Sequence, residues 1–281
     1  SKPGRCQFRF ISRSSGAIMN ATKNETTKKI QSHRSVRRYK PDAIPSDVLE
    51  DIFNCGIRSS TSGNMQSWSV ILTEDPENKN HLYKLHWQQE MILQAPIVLT
   101  FCSDMHKMRR WVQQGQSRQS FDDFLGFMTG AIDAIIAAQS MAVAAESHGL
   151  GICYMGSTLW EADKISKALK LPEHVVPVTS MVMGYPNEEP EKRDRMGLSA
   201  MVHREAYTTW TDTDIESLFE EKAKATWERF QSWDNFDHLV KKYGIRNSTD
   251  YYTCDGKYSK ALHQRVSEMY IQLLETKKMF L

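Results

Sequence analysis

The sequence predicts an α+β fold, a mixed core of helices and strands followed by a helical C-terminal extension. Three observations predict it. Short runs of β-forming apolar residues recur at 68–73, 97–102, 152–155 and 175–184, the pattern of strands with buried faces. Residues 121–148 form the longest helical pattern, and 131–139 within it are apolar almost all round, as in a central, fully buried helix. After Tyr207 the chain becomes charged and aromatic, with helical patterns at 213–233 and 260–277.

Residues 26–32 read as a first helix leading into a basic segment, and Lys40-Pro41 then breaks the pattern. A helix begins at Pro45-Ser46, with Ser46 as N-cap, Asp47 in the first turn, and an apolar face of Val48, Leu49, Ile52, Phe53 and Cys55. Residues 56–66 are rich in turn formers and read as a loop. Strand 68–73 ends at Asp75-Pro76, and 78–92 reads as one helix before strand 97–102. Asp133, Gln139 and Glu146 interrupt the long helix, which argues against a membrane span. Gly149-Leu150-Gly151 stops it. Residues 160–169 form an amphipathic helix ended by Pro172, ahead of strand 175–184.

The 281 residues are 40% hydrophobic and 25% charged, enough for a sizeable core in one or two domains. A net charge of +2 favours neither nucleic acid nor membrane as partner. Cys6, Cys55, Cys102, Cys153 and Cys254 form no CxxC pair, so neither a zinc knuckle nor a disulfide framework is indicated. Isolated thiols in apolar company point to a reducing compartment, the cytoplasm. The histidines show no metal-ligand spacing, and His81 and His86, five apart, do not share a helix face. No metal is expected. Residues 1–24 carry Lys2, Arg5, Arg9, Arg13 and Lys23 but no acid. They read as a poorly ordered lead, either a start upstream of an initiator at Met19 or a transit-like segment that would make the protein mitochondrial.

Three segments carry the chemistry. His33-Arg34-Ser35-Val36-Arg37-Arg38-Tyr39 is basic, and Arg34 and Arg37 would share a helix face. Guanidinium forks match phosphate and carboxylate oxygens, although a basic run by itself is ordinary solvated surface. Ser60-Thr61-Ser62-Gly63-Asn64-Met65-Gln66 is a run of small hydrogen-bonding groups that alone reads as a surface turn. Lys192-Arg193-Asp194-Arg195 follows Gly184-Tyr185-Pro186, among Glu188, Glu189 and Glu191. Two basic clusters and one hydroxyl/amide cluster suit a ligand with a phosphate, a sugar-like chain and a polar ring edge. No GxGxxG or GxxxxGK[ST] is present, so neither a Rossmann site nor a P-loop is supported.

In this order the segments resemble the FMN-binding nitroreductase family, in its NAD(P)H:flavin oxidoreductase and oxygen-insensitive major nitroreductase branch. The likeness spans roughly residues 31–207, with Glu146-Ser147-His148-Gly149-Leu150-Gly151 and the adjoining Ile152 to Ser157 especially family-like. It implies a central, mostly antiparallel sheet flanked by helices, with 25–207 as the FMN-binding domain and 208–281 as an extension packed on it or on a partner. It also implies a homodimer with two interface sites. His33, Arg34, Ser35 and Arg37 would hold FMN, Arg37 at the pyrimidine edge where it supports the reduced ring. Thr61, Ser62 and Asn64 would reach the partner's flavin, and Gln89 would approach the isoalloxazine. Tyr154, Met155 and Gly156 would pass beside the ring, and Arg193 and Arg195 would hold the phosphate. The family often has Gly-Gly where this chain has Gly156-Ser157, a change that would narrow the site, and proline where it has Ser67.

No catalytic side-chain nucleophile is implied, since flavin N5 carries the hydride. NADPH or NADH would reduce it, and a nitroaromatic, quinone or free flavin would reoxidise it in a ping-pong scheme. Two other readings remain open: a flavin-binding protein with little NAD(P)H turnover, in a storage or non-redox role, and a nucleic-acid binder, which the near-zero net charge disfavours. Arg246, Lys257 and Lys260 would suit a 2′-phosphate, and Lys241-Lys242-Tyr243-Gly244 reads equally as plain surface.

Overall fold

The computed structural model describes residues 24–280. The expected N-terminal lead therefore lies, but for Asn24, outside the described residues. The chain divides into two compact units: one takes in Thr26–Lys192 and the chain from His263 onward, the other centres on Arg193–Leu262.

In the first unit, α1 (Glu25–Gln31) enters the basic segment and α2 (Ser46–Ile57) comes next. Pro45 takes the N-cap position of α2 without a side-chain bond, so Ser46 is the first helical residue and not the cap. Val48, Leu49, Ile52 and Phe53 pack on the core, whereas Cys55, expected on the same face, is exposed. The helix runs on through Gly56, expected in the loop, because glycine lets it press against the long helix: a β-carbon there would lie 2.2 Å from Met141 Cε. A 3₁₀ turn (Ser62–Asn64) leads to β1 (Trp68–Thr73).

The single helix expected over 78–92 is two, α3 (Pro76–Leu85) and α4 (Met91–Gln94). Asp75 caps α3, accepting from Asn78 N at 2.9 Å. The break falls where Trp87 and Gln88 adopt left-handed φ of 57° and 56° and His86 turns fully inward. Then come β2 (Ile97–Asp104), α5 (His106–Gln114), α6 (Phe124–Ser147) and β3 (Gly151–Met155). Helix α5 is not among the elements expected: its residues are mostly basic and amide and none is buried, although Met108, Trp111 and Val112 stand at helical spacing. The helix expected over 160–169 is likewise split at Glu161, into α7 (Ser157–Trp160) and α8 (Ala162–Ala168). β4 (Val175–Gly184) completes the sheet.

The strands run in the order β1-β2-β4-β3, every neighbouring pair antiparallel. Register is marked by Trp68 opposite Ser103, Ile97 opposite Met183 and Gly151 opposite Gly184. Between Phe101 and Cys102 it shifts, as Phe101 faces Thr179 and Cys102 faces Pro177. A proline inside a sheet is tolerated at such an irregularity.

Side chains alternate across the sheet. Leu99, Phe101, Met181 and Met183 share one core with Ala131, Ala134, Ala138 and Ala142 of α6. Val98, Cys153, Met155 and Val182 share another with Leu82, Met91 and Ile92 of α3 and α4. Both faces are covered, which is why 97–102 reads as a continuous apolar run and not as alternation. By length and composition α6 is apolar enough to cross a membrane, but its alanine face lies in this core.

In the second unit lie α9 (Leu198–Met201), α10 (Asp212–Gln231), α11 (Phe236–Tyr243) and α12 (Ser248–Thr253). Thr211 and Asp214 form a capping box at the start of α10. Phe230, Trp233, Phe236 and Tyr251 form an aromatic core, with Phe230 stacked on Tyr251 at 4.5 Å between centroids. Helix α13 (Lys260–Thr276) carries the chain back to the first unit. There Leu273, Leu274 and Met279 are buried, and Tyr270 donates its hydroxyl to the Pro177 carbonyl at 2.8 Å.

Candidate functional site

The basic segment is laid along the edge of the sheet. Ser35 bridges Ile152 of β3 in parallel, Val36 N donates to Ile152 O at 2.9 Å, and Tyr39 bridges Pro186. Gly151 makes this possible, because a β-carbon there would come within 2.7 Å of the Val36 side chain. Tyr39 locks the turn, donating its hydroxyl to Val36 O at 2.6 Å, and burial pushes its phenol well above the usual range. His33, Arg34, Ser35 and Arg37 therefore stand beside the strand that carries Tyr154 and Met155. A cavity of about 300 Å³ opens against His33 and Arg34, lined also by Lys29, Glu146, Gly149 and Glu188.

The basic side chains there have partners. Arg34 donates to Glu189 at 3.2 Å, and His33 Nδ1 meets Glu146 at 2.5 Å. The Glu188 carboxylate accepts from the backbone N–H of Arg37 at 2.6 Å and of Arg38 at 3.1 Å. Arg37 turns its own guanidinium onto Ser35 O at 3.3 Å. Glu188 and Glu189, which in the sequence stand out only as neighbours of Arg193, thus belong to the rim of this cavity. Their signal in the sequence is their closeness to Pro186, which the fold sets against Tyr39.

Gln89 lies in the turn between α3 and α4, not within a helix, and meets Ser157 just beyond the C-terminal end of β3. Its Nε2 donates to His86 O at 3.0 Å and to Ser157 Oγ at 3.2 Å. Ser157, expected to narrow the site, is instead turned inward onto His86 Nδ1 at 2.8 Å. No atom lies within 4 Å of where a Gly156 β-carbon would sit, so the backbone is open to a ligand there. Met155 brings only its backbone, since its side chain is buried with Leu82 and Met91. Burial raises the Tyr154 phenol, and its hydroxyl donates to Gln139 at 3.5 Å.

Thr61, Ser62 and Asn64 stand apart from these residues, gathered on α6 by Asp133. That carboxylate accepts from Thr61 Oγ1 at 2.5 Å, Ser62 N at 2.9 Å, Ser67 Oγ at 2.7 Å and Ser67 N at 3.3 Å. Burial pushes its carboxyl up, but the bonds from Thr61, Ser62 and Ser67 outweigh this and hold it below the usual range. The Thr61 hydroxyl also accepts from Gln66 N at 2.9 Å, so it works chiefly within the loop. Asn64 adopts a left-handed φ of 56°. Arg193 and Arg195 belong to the second compact unit, where Asp194 pairs with Arg229 at 3.1 Å. Among the described residues no group of three or more His, Cys, Asp or Glu is placed to hold a metal ion.

The donor set on the first unit fits FMN. Two guanidinium groups and backbone N–H donors suit anionic oxygens, the adjoining cavity admits a polar chain, and the open backbone at Gly156 leaves room for a flat ring. Carboxylates now hold several of those donors and would have to yield to the ligand.

These features define an α+β protein with a basic segment docked along the edge of an antiparallel sheet. Residues 30–185 match the Nitroreductase family, and the chain belongs to that family. It is 32% identical over 191 residues to the FMN reductase (NADPH) of Bacillus subtilis, covering 67% of this chain and 77% of that relative. It is 30% identical over 194 residues to the NADPH-flavin oxidoreductase of Vibrio harveyi, covering 69% and 79%. Among solved structures, an oxidoreductase from Bacteroides fragilis superposes with a TM-score of 0.81 at 31% identity, covering 90% of this chain and 99% of that one. The NfrA1 nitroreductase of Bacillus subtilis does so with 0.74 at 25% identity, covering 90% and 98%.

Proposed function

We infer that this protein is an FMN-dependent NAD(P)H oxidoreductase that reduces nitroaromatics, quinones or free flavin. The observation that supports the reading is the docking of the basic segment on β3, which sets Arg34, Ser35 and Arg37 beside the strand that carries Tyr154. Bound FMN supplies the two-electron chemistry. Arg34 holds the phosphate, and His33 and Ser35 the polar chain. Arg37 places positive charge at the pyrimidine edge. Gln89, Tyr154, Met155 and Gly156 border the ring. NAD(P)H and acceptor use one pocket in turn, a ping-pong order.

The site is completed in a homodimer by Thr61, Ser62 and Asn64 of the partner subunit. Support comes from the face of α6 away from the sheet, where Leu125, Met128, Ile132 and Ile135 are exposed in a 3-4-3 spacing, with Ile136 beside them. Such a seam suits helix-to-helix packing, and Asp133 ties the 61–67 loop beside it. The reading places the protein in the cytoplasm.

The test is the visible spectrum of the purified protein, together with identification of what heat releases. Flavin bands that bleach with NADPH under argon and return with a nitroaromatic support the reading. A colourless protein that takes up no added FMN refutes it.

A further inference from the structure

The hydrogen bonds around Gln89 run in one direction only. The His86 backbone oxygen, 3.0 Å from the Gln89 amide, can only accept, so the atom facing it is the amide nitrogen. The second hydrogen of that nitrogen goes to Ser157 Oγ at 3.2 Å. The Ser157 hydroxyl, with one hydrogen and two lone pairs, also meets His86 Nδ1 at 2.8 Å. His86 is 0% exposed, burial lowers its pKa to about 4 so that the ring is neutral at pH 7, and its Nε2 has no partner among the described residues. The turn that brings His86 and Gln89 together is held by two successive left-handed residues, Trp87 and Gln88, an uncommon conformation for side-chain-bearing residues.

We propose that Ser157 and His86 are positioning residues that clamp the Gln89 amide with its nitrogen inward, so that Gln89 offers its carbonyl oxygen to an N–H of the bound ring. Neither clamp bond uses Oε1, so an acceptor is what this glutamine has to present. Where Ser157 departs from the glycine common in the family, it has acquired an inward partner and leaves the ring's space alone. The inference rests on the flavin reading for the identity of the ring, while the clamp belongs to the FMN-free chain.

The experiment has two arms. In FMN-free protein, the Gln89 side-chain amide protons are followed by NMR exchange in the parent and in S157A. Protected protons in the parent that exchange freely in S157A are expected. In FMN-loaded protein, the flavin dissociation constant, visible band positions and midpoint potential are compared for the parent, S157A, H86L and H86N. S157A and H86L should bind FMN about three- to tenfold more weakly, the loss of roughly one net hydrogen bond, with shifted bands and potential. H86N, which can keep an acceptor where Nδ1 was, should recover most of the loss. A folded S157A with the parent's amide protection and the parent's flavin spectrum and potential overturns the proposal. A parent that shows amide protection but takes up no FMN refutes the flavin reading itself, and the ligand named here with it.

Discussion

Asp133→Asn tests the link between the long helix and the loop that carries Thr61, Ser62 and Asn64. The Asp133 side chain is 1% exposed and accepts four hydrogen bonds, three at Oδ2 and one, from Ser62 N, at Oδ1. Asparagine must put an NH₂ group at one of the two positions. The less costly choice faces Ser62 N, which loses one charge-assisted bond and sets two donors against each other. One such bond is worth about 1.5–3 kcal/mol, and the three remaining bonds weaken to neutral ones. A loss of about 3 kcal/mol is expected, or roughly 6–12 °C in melting temperature for a protein of this size. Circular dichroism melts at pH 7 measure it. The charge matters in a definite pH range: because the folded carboxyl is held below its ordinary pKa, its contribution is whole at neutral pH and is lost as pH falls through that lowered value. D133N should lose this acid sensitivity. A D133N melt within 1 °C of the parent's, roughly a few tenths of a kcal/mol, would refute the anchoring role of the carboxylate.

Three further outcomes are expected. G151A should push Val36 off β3, costing about 1–3 kcal/mol and weakening FMN binding by fluorescence titration; unchanged affinity would detach the basic segment from the site. Ile132→Asp with Ile135→Asp should yield monomers in sedimentation and release FMN, and a folded monomer that keeps its flavin would count against a two-subunit site. Unfolded His86 takes a proton near pH 6.5 and the folded residue only near pH 4, so stability is whole above 6.5 and falls between those values by up to about 3 kcal/mol. Urea midpoints across that range should be less pH-dependent in H86N, and an identical pH slope would show that His86 is not the group responsible.

Much of this is legible in the sequence. The strands announce themselves because both faces of the sheet are covered, so β2 is buried throughout, β4 nearly so, and both are mostly apolar. Helix α6 is apolar all round for two separate reasons, an alanine face in the core and an exposed isoleucine seam, which a periodicity reading merges into one buried helix. The breaks at 86–90 and at Glu161 are not legible, since left-handed Trp87 and Gln88 carry no local signal. The basic segment stands out, but its carboxylate partners come from residues 113 to 155 positions away. His86 and Ser157, 71 residues apart, look unremarkable singly; only the fold makes them a pair.

The return of the chain through α13 has a consequence for how the protein can be taken apart. Leu273, Leu274 and Met279 complete the core beside the sheet, and His174 N is bonded to Lys277 O at 2.9 Å. The 193–262 unit is therefore a cassette spliced into the chain between two stretches of the sheet-bearing unit, not a tail hung after it. A stop codon placed after residue 262 would uncover the core, whereas an internal exchange of 193–262 would leave its packing residues in place.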